Sequence, residues 1–496
     1  MGSIYPRTFD IRRVAVVGAG PSGLAAAKYL TAQAAYDQVT IFEQQAEVGG
    51  VWNYNTVVPA PNPIPQTSPF YPPDEPAHPG GGGGGGGSSR LPVFPSPMYN
   101  DLHANIPKTI MRFSDLAFPE ESWIFPSRYD VQEHIVRYAQ DVRHLIRFCT
   151  RVTNITLRSE NNDDRWHVEA QSTTVGDDDD DEEEAGQVIL EVFDAVVVAN
   201  GHYSIPFVPS IDGIAAFHQK HPDIIIHSKN YHSADTFRGK KTIIVGNGPS
   251  GLDIAYQVHR VCSSRGQQQQ QQTLLSVRHA TPAEKLAHTG CREIAEIERF
   301  LPDERRGVLL KDGRTETDID AVVFCTGFRY SLPFLRRGGG LEKDPLLTNG
   351  ACVHGLYKHL FHIQHPTLVF PTLNMGIVPF PFAEAQAAVF SAVWSNDLEL
   401  PPRSEMVRWN RDAEEAAGDK LHVLPQLRDG EYMNEMSDWA SRAAHLGKEP
   451  PKWGHEEFWL RGIIGDAKLA FEKQGCQAKS LEELGFRYDP EQNFEP

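Results

Sequence analysis

The sequence predicts an α/β fold built from two Rossmann-like dinucleotide-binding domains, one nested in the other, and three observations predict it. Two segments, Arg13 to Leu30 and Lys241 to Gln257, repeat one order of elements: a β-branched apolar run, a glycine-rich turn, and a helix of small residues. They start roughly 200 or more residues apart, so each opens its own unit of parallel strands alternating with helices. At 496 residues, 40% of them hydrophobic, the chain exceeds one core and suffices for two or three packed units.

In the first unit the strand-like run Val14 to Val17 ends in Gly18-Ala-Gly20-Pro21-Ser22-Gly23 and passes into Leu24-Ala-Ala-Ala. Gly18 permits the tight turn, Gly20 lets the backbone approach a pyrophosphate, and Gly23 allows close helix packing, with the helix N-terminus facing the phosphate charge. A second strand, Val39 to Phe42, ends in Glu43, 20 residues beyond Gly23, where a ribose-binding carboxylate belongs. Downstream, Glu47-Val-Gly49-Gly50-Val51-Trp52 resembles the segment that continues around FAD in many two-dinucleotide flavoproteins, which points to FAD at this site. For Trp52, a place in the core is an equal alternative.

The second unit, Thr242-Ile-Ile-Val-Gly246-Asn-Gly248-Pro249-Ser250-Gly251-Leu-Asp-Ile-Ala, repeats the strand, turn and helix, so a second nucleotide is implied. Its next strand, Thr273-Leu-Leu-Ser276-Val, ends in Arg278 at the position that Glu43 holds in the first unit. A carboxylate there would select the free ribose of NAD, whereas a guanidinium forms charge-assisted hydrogen bonds with the 2'-phosphate of NADP. NADPH is therefore the expected coenzyme, with Arg278 as a plain surface charge the alternative.

The formal net charge of -18 argues against a nucleic-acid binder, which needs clustered Lys and Arg. Part of that charge lies in the run Asp177 to Glu184; together with Gly80 to Gly87 and Gln267 to Gln272 it is expected to form surface insertions that build no core. The six cysteines show no CxxC pair or metal-ligand spacing, which predicts free thiols, no metal and a reducing compartment. With no apolar leader and no apolar run near the roughly 20 residues of a membrane span, a cytoplasmic protein without a membrane partner is expected. The C-terminal part carries Trp394, Trp409, Trp439, Trp453 and Trp459, whose apolar surface packs either internally or against a second subunit; a homodimer is the expectation.

Between and beyond the two turns, further segments carry a resemblance: Ser96-Pro-Met-Tyr-Asn-Asp-Leu-His-Ala-Asn105, Phe193-Asp-Ala-Val-Val-Val-Ala-Asn-Gly201-His202, His227-Ser-Lys-Asn-Tyr231, Asp320-Ala-Val-Val-Phe-Cys-Thr-Gly327-Phe328, Leu356-Tyr-Lys-His359 and Pro379-Phe-Pro381. With them the chain resembles the flavin-containing monooxygenases, especially their soluble fungal members. The resemblance implies an FAD domain in two parts, residues 1–203 and 326–496, the second ending in a helical extension, with an NADPH domain inserted at 204–325. It also implies that Asn105 lies beside flavin and nicotinamide as the catalytic residue. Read as a residue alone, Asn105 could equally cap a turn. Gly327 is counted among the cofactor-binding positions, although a structural role for Gly201 and Gly327, linking strands across the domains, is the plainer reading.

The family's signature, Phe-x-Gly-x-x-x-His-x-x-x-Tyr, is incomplete here: Phe217 stands ten positions before His227 where six are expected, and Gln219 takes the glycine's place. His227 and Tyr231 survive. Tyr231-His232 stands where the related Baeyer–Villiger enzymes carry Trp-Pro, which favours oxygenation of nitrogen or sulfur. The implied reaction passes hydride from NADPH to FAD, forms a C4a-hydroperoxyflavin with O2, and oxygenates a small soft nucleophile; the cofactor carries the chemistry. Three rivals remain: a disulfide reductase, which lacks its cysteine pair here, an NADPH oxidase releasing peroxide, and a nucleotide-binding protein without turnover.

Overall fold

The computed structural model describes residues 9–57, 62–79, 91–160, 163–175, 188–263, 273–335 and 345–491. The glycine, acidic and glutamine tracts lie outside the described residues. Both predicted strand-turn-helix starts form, the first among the parallel strands of a mixed sheet and the second on a parallel sheet.

In the first sheet β1 (Arg13–Val17) runs parallel between β2 (Gln38–Phe42) and β7 (Ala195–Val198). The short β3 (Ile146–Arg147) extends it on one side, and β20 (Leu368–Val369), β19 (Phe361–His362) and β18 (Leu356–Tyr357) extend it on the other. The second sheet is parallel throughout, in the order β12 (Arg292–Ala295), β11 (Thr273–Val277), β10 (Thr242–Val245), β16 (Ala321–Phe324), β9 (Ile225–His227). Its strands all fall between the strands of the first sheet, so the second unit is nested within the first. Burial on both faces explains the continuous apolar runs in both central strands.

The chain crosses between the units on a two-stranded antiparallel ribbon, β8 (Ile205–Pro206) against β17 (Phe328–Arg329). Two antiparallel layers flank the parallel sheets: β4 (Thr150–Glu160), β5 (Asp163–Ser172) and β6 (Val188–Phe193) in the first unit, and β13 (Ile297–Leu301), β14 (Gly307–Leu310) and β15 (Thr315–Glu316) in the second.

Ten α-helices complete the described chain: α1 (Pro21–Gln33), α2 (Lys108–Met111), α3 (Arg128–Tyr138), α4 (Ile214–Lys220), α5 (Pro249–Ser263), α6 (Ala283–Thr289), α7 (Pro379–Trp394), α8 (Arg403–Ala417), α9 (Arg428–Ala440) and α10 (His455–Lys473). α7 is mostly apolar on every face, carries only Glu384, Gln386 and Ser391 as polar residues, and is buried from Phe380 to Trp394, packed between α1 and α9. The C-terminal tryptophans join the same core: Trp394, Trp439 and Trp453 are buried, and Trp409 and Trp459 pack against it. Their apolar surface is thus used internally, and the argument for a dimer that rested on it loses its basis. No helix among the described residues is long and apolar enough to cross a membrane.

Candidate active site

The first glycine turn is built as its residue types require. Gly18 has φ of 100°, and a Cβ there would stand 2.7 Å from Ala199 O. A Cβ on Gly23 would collide with the Gly18 carbonyl, so no other residue lets α1 start so close to β1. The cap of α1 is Gly20, which offers no side-chain acceptor, and Pro21 opens the helix. The first-turn amides therefore face outward without an internal partner, as an anion site needs. Glu43 takes the Ala19 N–H at 2.7 Å and the Gln45 N–H at 2.8 Å. Burial lifts its carboxyl to about 7, against the pull of those amides. The predicted ribose carboxylate thus also braces the turn from below.

The loop after Glu43 returns to the same place. The Gly49 N–H donates to Ala19 O at 3.1 Å, and Gly50 begins the short 3-10 turn Gly50–Trp52. Ser96 donates its hydroxyl to Val51 O at 2.6 Å. Trp52 packs against the first core, which is the alternative weighed for it, and is partly buried.

The second turn repeats the geometry with one difference. Gly246 has φ of 106°, and a Cβ there would stand 3.0 Å from Cys325 O, while a Cβ on Gly251 would collide with Gly246 O. At Gly248, by contrast, an added Cβ would meet nothing within 4 Å. The space above Gly248 is where a pyrophosphate would lie over the N-terminal Pro249 and Ser250 of α5. Arg278 stands just past β11, three-quarters exposed, paired with Glu296 at 3.0 Å. Ser276 differs from expectation: it is buried, its hydroxyl donates to Ala295 O at 3.1 Å, and its carbonyl receives the Gly246 N–H at 2.9 Å. Its hydroxyl thus ties β11 to the end of β12 and its carbonyl holds the turn.

What survives of the family-like signature pins the junction of the two units. His227 Nε2 lies 2.9 Å from Gly327 O, and its Nδ1 accepts the Lys229 N–H at 3.1 Å. Burial pushes this imidazole down to about 3, so it stays neutral and donates to Gly327, which has φ of 82° between β16 and the ribbon. Gly327 is therefore a hinge position in the link. Tyr231 donates to Gln257 at 2.9 Å, Gln257 to Asp253 at 3.2 Å, and Tyr99 also donates to Asp253. Burial raises the Asp253 carboxyl, and these donors hold it in place.

Through this network the segment Ser96 to Asn105 touches both units, with Ser96 on the first loop and Tyr99 on α5 of the second. Asn105 follows in a bend beside α2, exposed, with no side-chain hydrogen bond among the described residues. It caps nothing, so that alternative is unsupported. Sequence reasoning missed Tyr99, Asp253 and Gln257, and also Lys229, whose buried ammonium binds Asp74 at 2.7 Å. The His227 to Tyr231 segment containing Lys229 was visible, but its distant partners were not.

These residues fit two dinucleotides: each turn has a glycine cradle that a Cβ would fill, outward amides, and a charged residue at the next strand's end. The comparisons agree. The family described as flavin-binding monooxygenase-like matches residues 95–281 and 296–450. An NAD(P)-binding Rossmann-like domain matches residues 16–68. The flavin-containing monooxygenase FMO GS-OX-like 2 of Arabidopsis thaliana is 29% identical over 88% of this chain and 87% of its own. The thiol-specific monooxygenase of Saccharomyces cerevisiae is 28% identical over 91% of each. Among solved structures, the S-allyl-L-cysteine S-oxygenase of Allium sativum has the same fold, with a TM-score of 0.71 at 24% identity over 96% of this chain and 98% of that one.

Proposed function

The chain belongs to the flavin-binding monooxygenase-like family and is an FAD- and NADPH-dependent oxidoreductase, and on that premise we propose that it oxygenates the sulfur or nitrogen of a small soft nucleophile. Residues 1–203 and 326–496 serve as the two parts of the FAD domain, and 204–325 as the inserted NADPH domain. The observation that supports this reading is the segment Ser96 to Asn105, held to the first loop at Val51 and to α5 at Asp253, and ending in an exposed Asn105. The bound flavin supplies the redox and oxygen chemistry. What the chain contributes is placement. Gly18 to Gly23 and Gly246 to Gly251 seat the two pyrophosphates, Glu43 holds a ribose, Arg278 meets a 2'-phosphate, and the Asn105 amide orients what lies between the rings. The neutral His227 fixes the hinge at Gly327 and moves no proton. Similarity to the thiol-specific monooxygenase of Saccharomyces cerevisiae supports sulfur as the first atom to test. A homodimer remains part of the proposal, to be read from sedimentation of the holoprotein.

The test supplies purified flavin-loaded protein with NADPH, heavy-isotope dioxygen and, in parallel, a thiol, a thioether and a tertiary amine. Labelled oxygen in one of these products, with NADPH consumed in equal amount, is expected. NADPH consumption with every electron recovered as hydrogen peroxide would replace this reading with an oxidase. In Asn105→Ala the rate of flavin bleaching by NADPH should persist while the product-to-peroxide ratio falls at least severalfold.

A further inference from the structure

Arg128 is only 6% exposed, yet its Nε–H is buried without a partner and no carboxylate among the described residues pairs with its guanidinium. Its contacts are two rings: Tyr54 at 3.8 Å and Tyr129 at 3.9 Å from the ring centroids. Stacking covers the faces of the guanidinium plane but accepts none of its five N–H bonds, which leave along the edge. A buried guanidinium N–H without an acceptor is costly to keep, and an anion that arrives with a ligand would satisfy it. The nearest candidates within the chain do not serve: Asp130 is committed to the Ser127 cap at 2.7 and 2.9 Å, and Asp101 is exposed.

The position of Arg128 is specific. Its own N–H donates to Leu102 O at 3.2 Å, and the Ala104 N–H donates to Pro126 O at 2.8 Å, so residues 126–128 run beside the backbone that leads into Asn105. One turn further along α3, Gln132 donates to Val48 O at 2.8 Å, and a Cβ on Gly49 would collide with it. Tyr54, two residues past Trp52, is held by its hydroxyl on Asn100 at 2.8 Å. The same face of α3 therefore packs on the loop of the first glycine site and on the Asn105 segment together, with the Arg128 fork at their seam.

We propose that Arg128 receives the oxyanion, a carboxylate or a phosphate, of a small molecule bound at this seam. A guanidinium held flat by two rings offers two parallel donors to two coplanar oxygens, which a lysine could not reproduce. The anion has two possible sources: the substrate's own carboxylate, which would make acidic thiols and thioethers the substrate class, or a phosphate of a bound dinucleotide. The substrate source rests on the oxygenase reading above; the anion site does not.

The experiment compares the wild-type holoprotein with Arg128→Gln and Arg128→Lys, using 3-mercaptopropionate and its uncharged methyl ester. Binding is followed by tryptophan fluorescence, which needs no turnover, and dissociation constants for FAD and NADP+ are measured on the same samples. If the substrate supplies the anion, both variants lose about tenfold or more in affinity and in kcat/KM for the acid, while the ester is unaffected. If a dinucleotide supplies it, the FAD or NADP+ constant rises by a similar factor and the acid-to-ester ratio stays as in the wild type. Either result supports the site. Should a variant not fold, the wild type still decides: acid and ester bound equally, together with no competition by inorganic phosphate against FAD or NADP+, would overturn it. Folded variants with all four affinities unchanged would overturn it as well. Arg128-dependent binding of the acid without any oxygenated product would leave the site standing and remove the oxygenase reading.

Discussion

Glu472 Oε2 stands 3.0 Å from His288 Nε2, joining the C-terminal helix α10 to α6 of the inserted unit. One turn earlier on the same face of α10, Lys468 Nζ donates to Ala104 O at 3.1 Å and lies 3.5 Å from His103 O, the two carbonyls just before Asn105. A turn before that, Gly465 leaves room for Lys285 of α6, whose Nζ would lie 3.5 Å from a Cβ there. A single helix face thus touches both the inserted unit and the backbone that presents Asn105.

Lys468→Met should therefore loosen the Asn105 segment without disturbing either glycine turn. The expected outcome is unchanged flavin content and a severalfold higher ratio of hydrogen peroxide to NADPH consumed, with Lys468→Arg close to wild type. A wild-type ratio in Lys468→Met would mean that the clamp has no bearing on turnover.

Gly248 and Gly251 should separate binding from folding. Gly248→Ala places its methyl in open space, so melting temperature and flavin content should stay put while KM for NADPH rises at least tenfold. Gly251→Ala drives its methyl into the Gly246 carbonyl and should cost roughly 1–3 kcal/mol of stability, as overpacking does. Thermal melts and steady-state kinetics on the pair check both halves; equal melting losses would contradict the geometry.

Arg278→Ala should raise KM for NADPH about ten- to hundredfold and leave NADH almost unaffected, because the lost bond is to a charged group. Exposure of Arg278 and its existing pair with Glu296 place the effect at the lower end. Equal losses with both coenzymes would show that Arg278 does not read the 2'-phosphate.

Glu384 gives the pH dependence. It lies fully buried on α7, accepting the Ser114 N–H at 2.7 Å, the Ser114 hydroxyl at 3.0 Å and the Tyr138 hydroxyl at 3.1 Å. Burial raises its carboxyl from 4.5 to about 7, with the Ser114 bonds and Lys448 pulling the other way and Asp115 adding to the rise. A carboxyl raised on folding costs nothing below its unfolded value; the cost appears as pH climbs through the folded one. Glu384→Gln should thus gain stability relative to wild type as pH goes from 5 to 8, by up to roughly 3 kcal/mol at about 1.4 kcal/mol per unit. Denaturant melts at both pH values read this, and a difference independent of pH would show that Glu384 stays ionised throughout.

Both glycine turns, the strands that lead into them and the nesting of one unit in the other were legible because their signals are local. Positive φ at Gly18 and Gly246, and the collisions that exclude a Cβ at Gly23 and Gly251, act within a few residues and so leave a fixed spacing in the sequence. Glu43 and Arg278 were legible for the same reason, since each ends the strand after its turn. The bond of Ser276 to Ala295 O was not legible, because a serine near a strand end can serve a coenzyme or a neighbouring carbonyl and the residue type allows both.

By itself, then, the sequence determined two strand, glycine-turn and helix units and the unlike charges that follow their second strands, all within runs short enough for backbone sterics to dictate the residue. Only the tertiary structure decided that the tryptophans pack inward, that Tyr99 binds Asp253 while Tyr231 reaches it through Gln257, that α10 grips the carbonyls before Asn105, and that Arg128 is buried without an acid. Each of these joins positions far apart in the chain through burial or a hydrogen bond. Such contacts depend on which surfaces the packed core brings together, and no local periodicity records that.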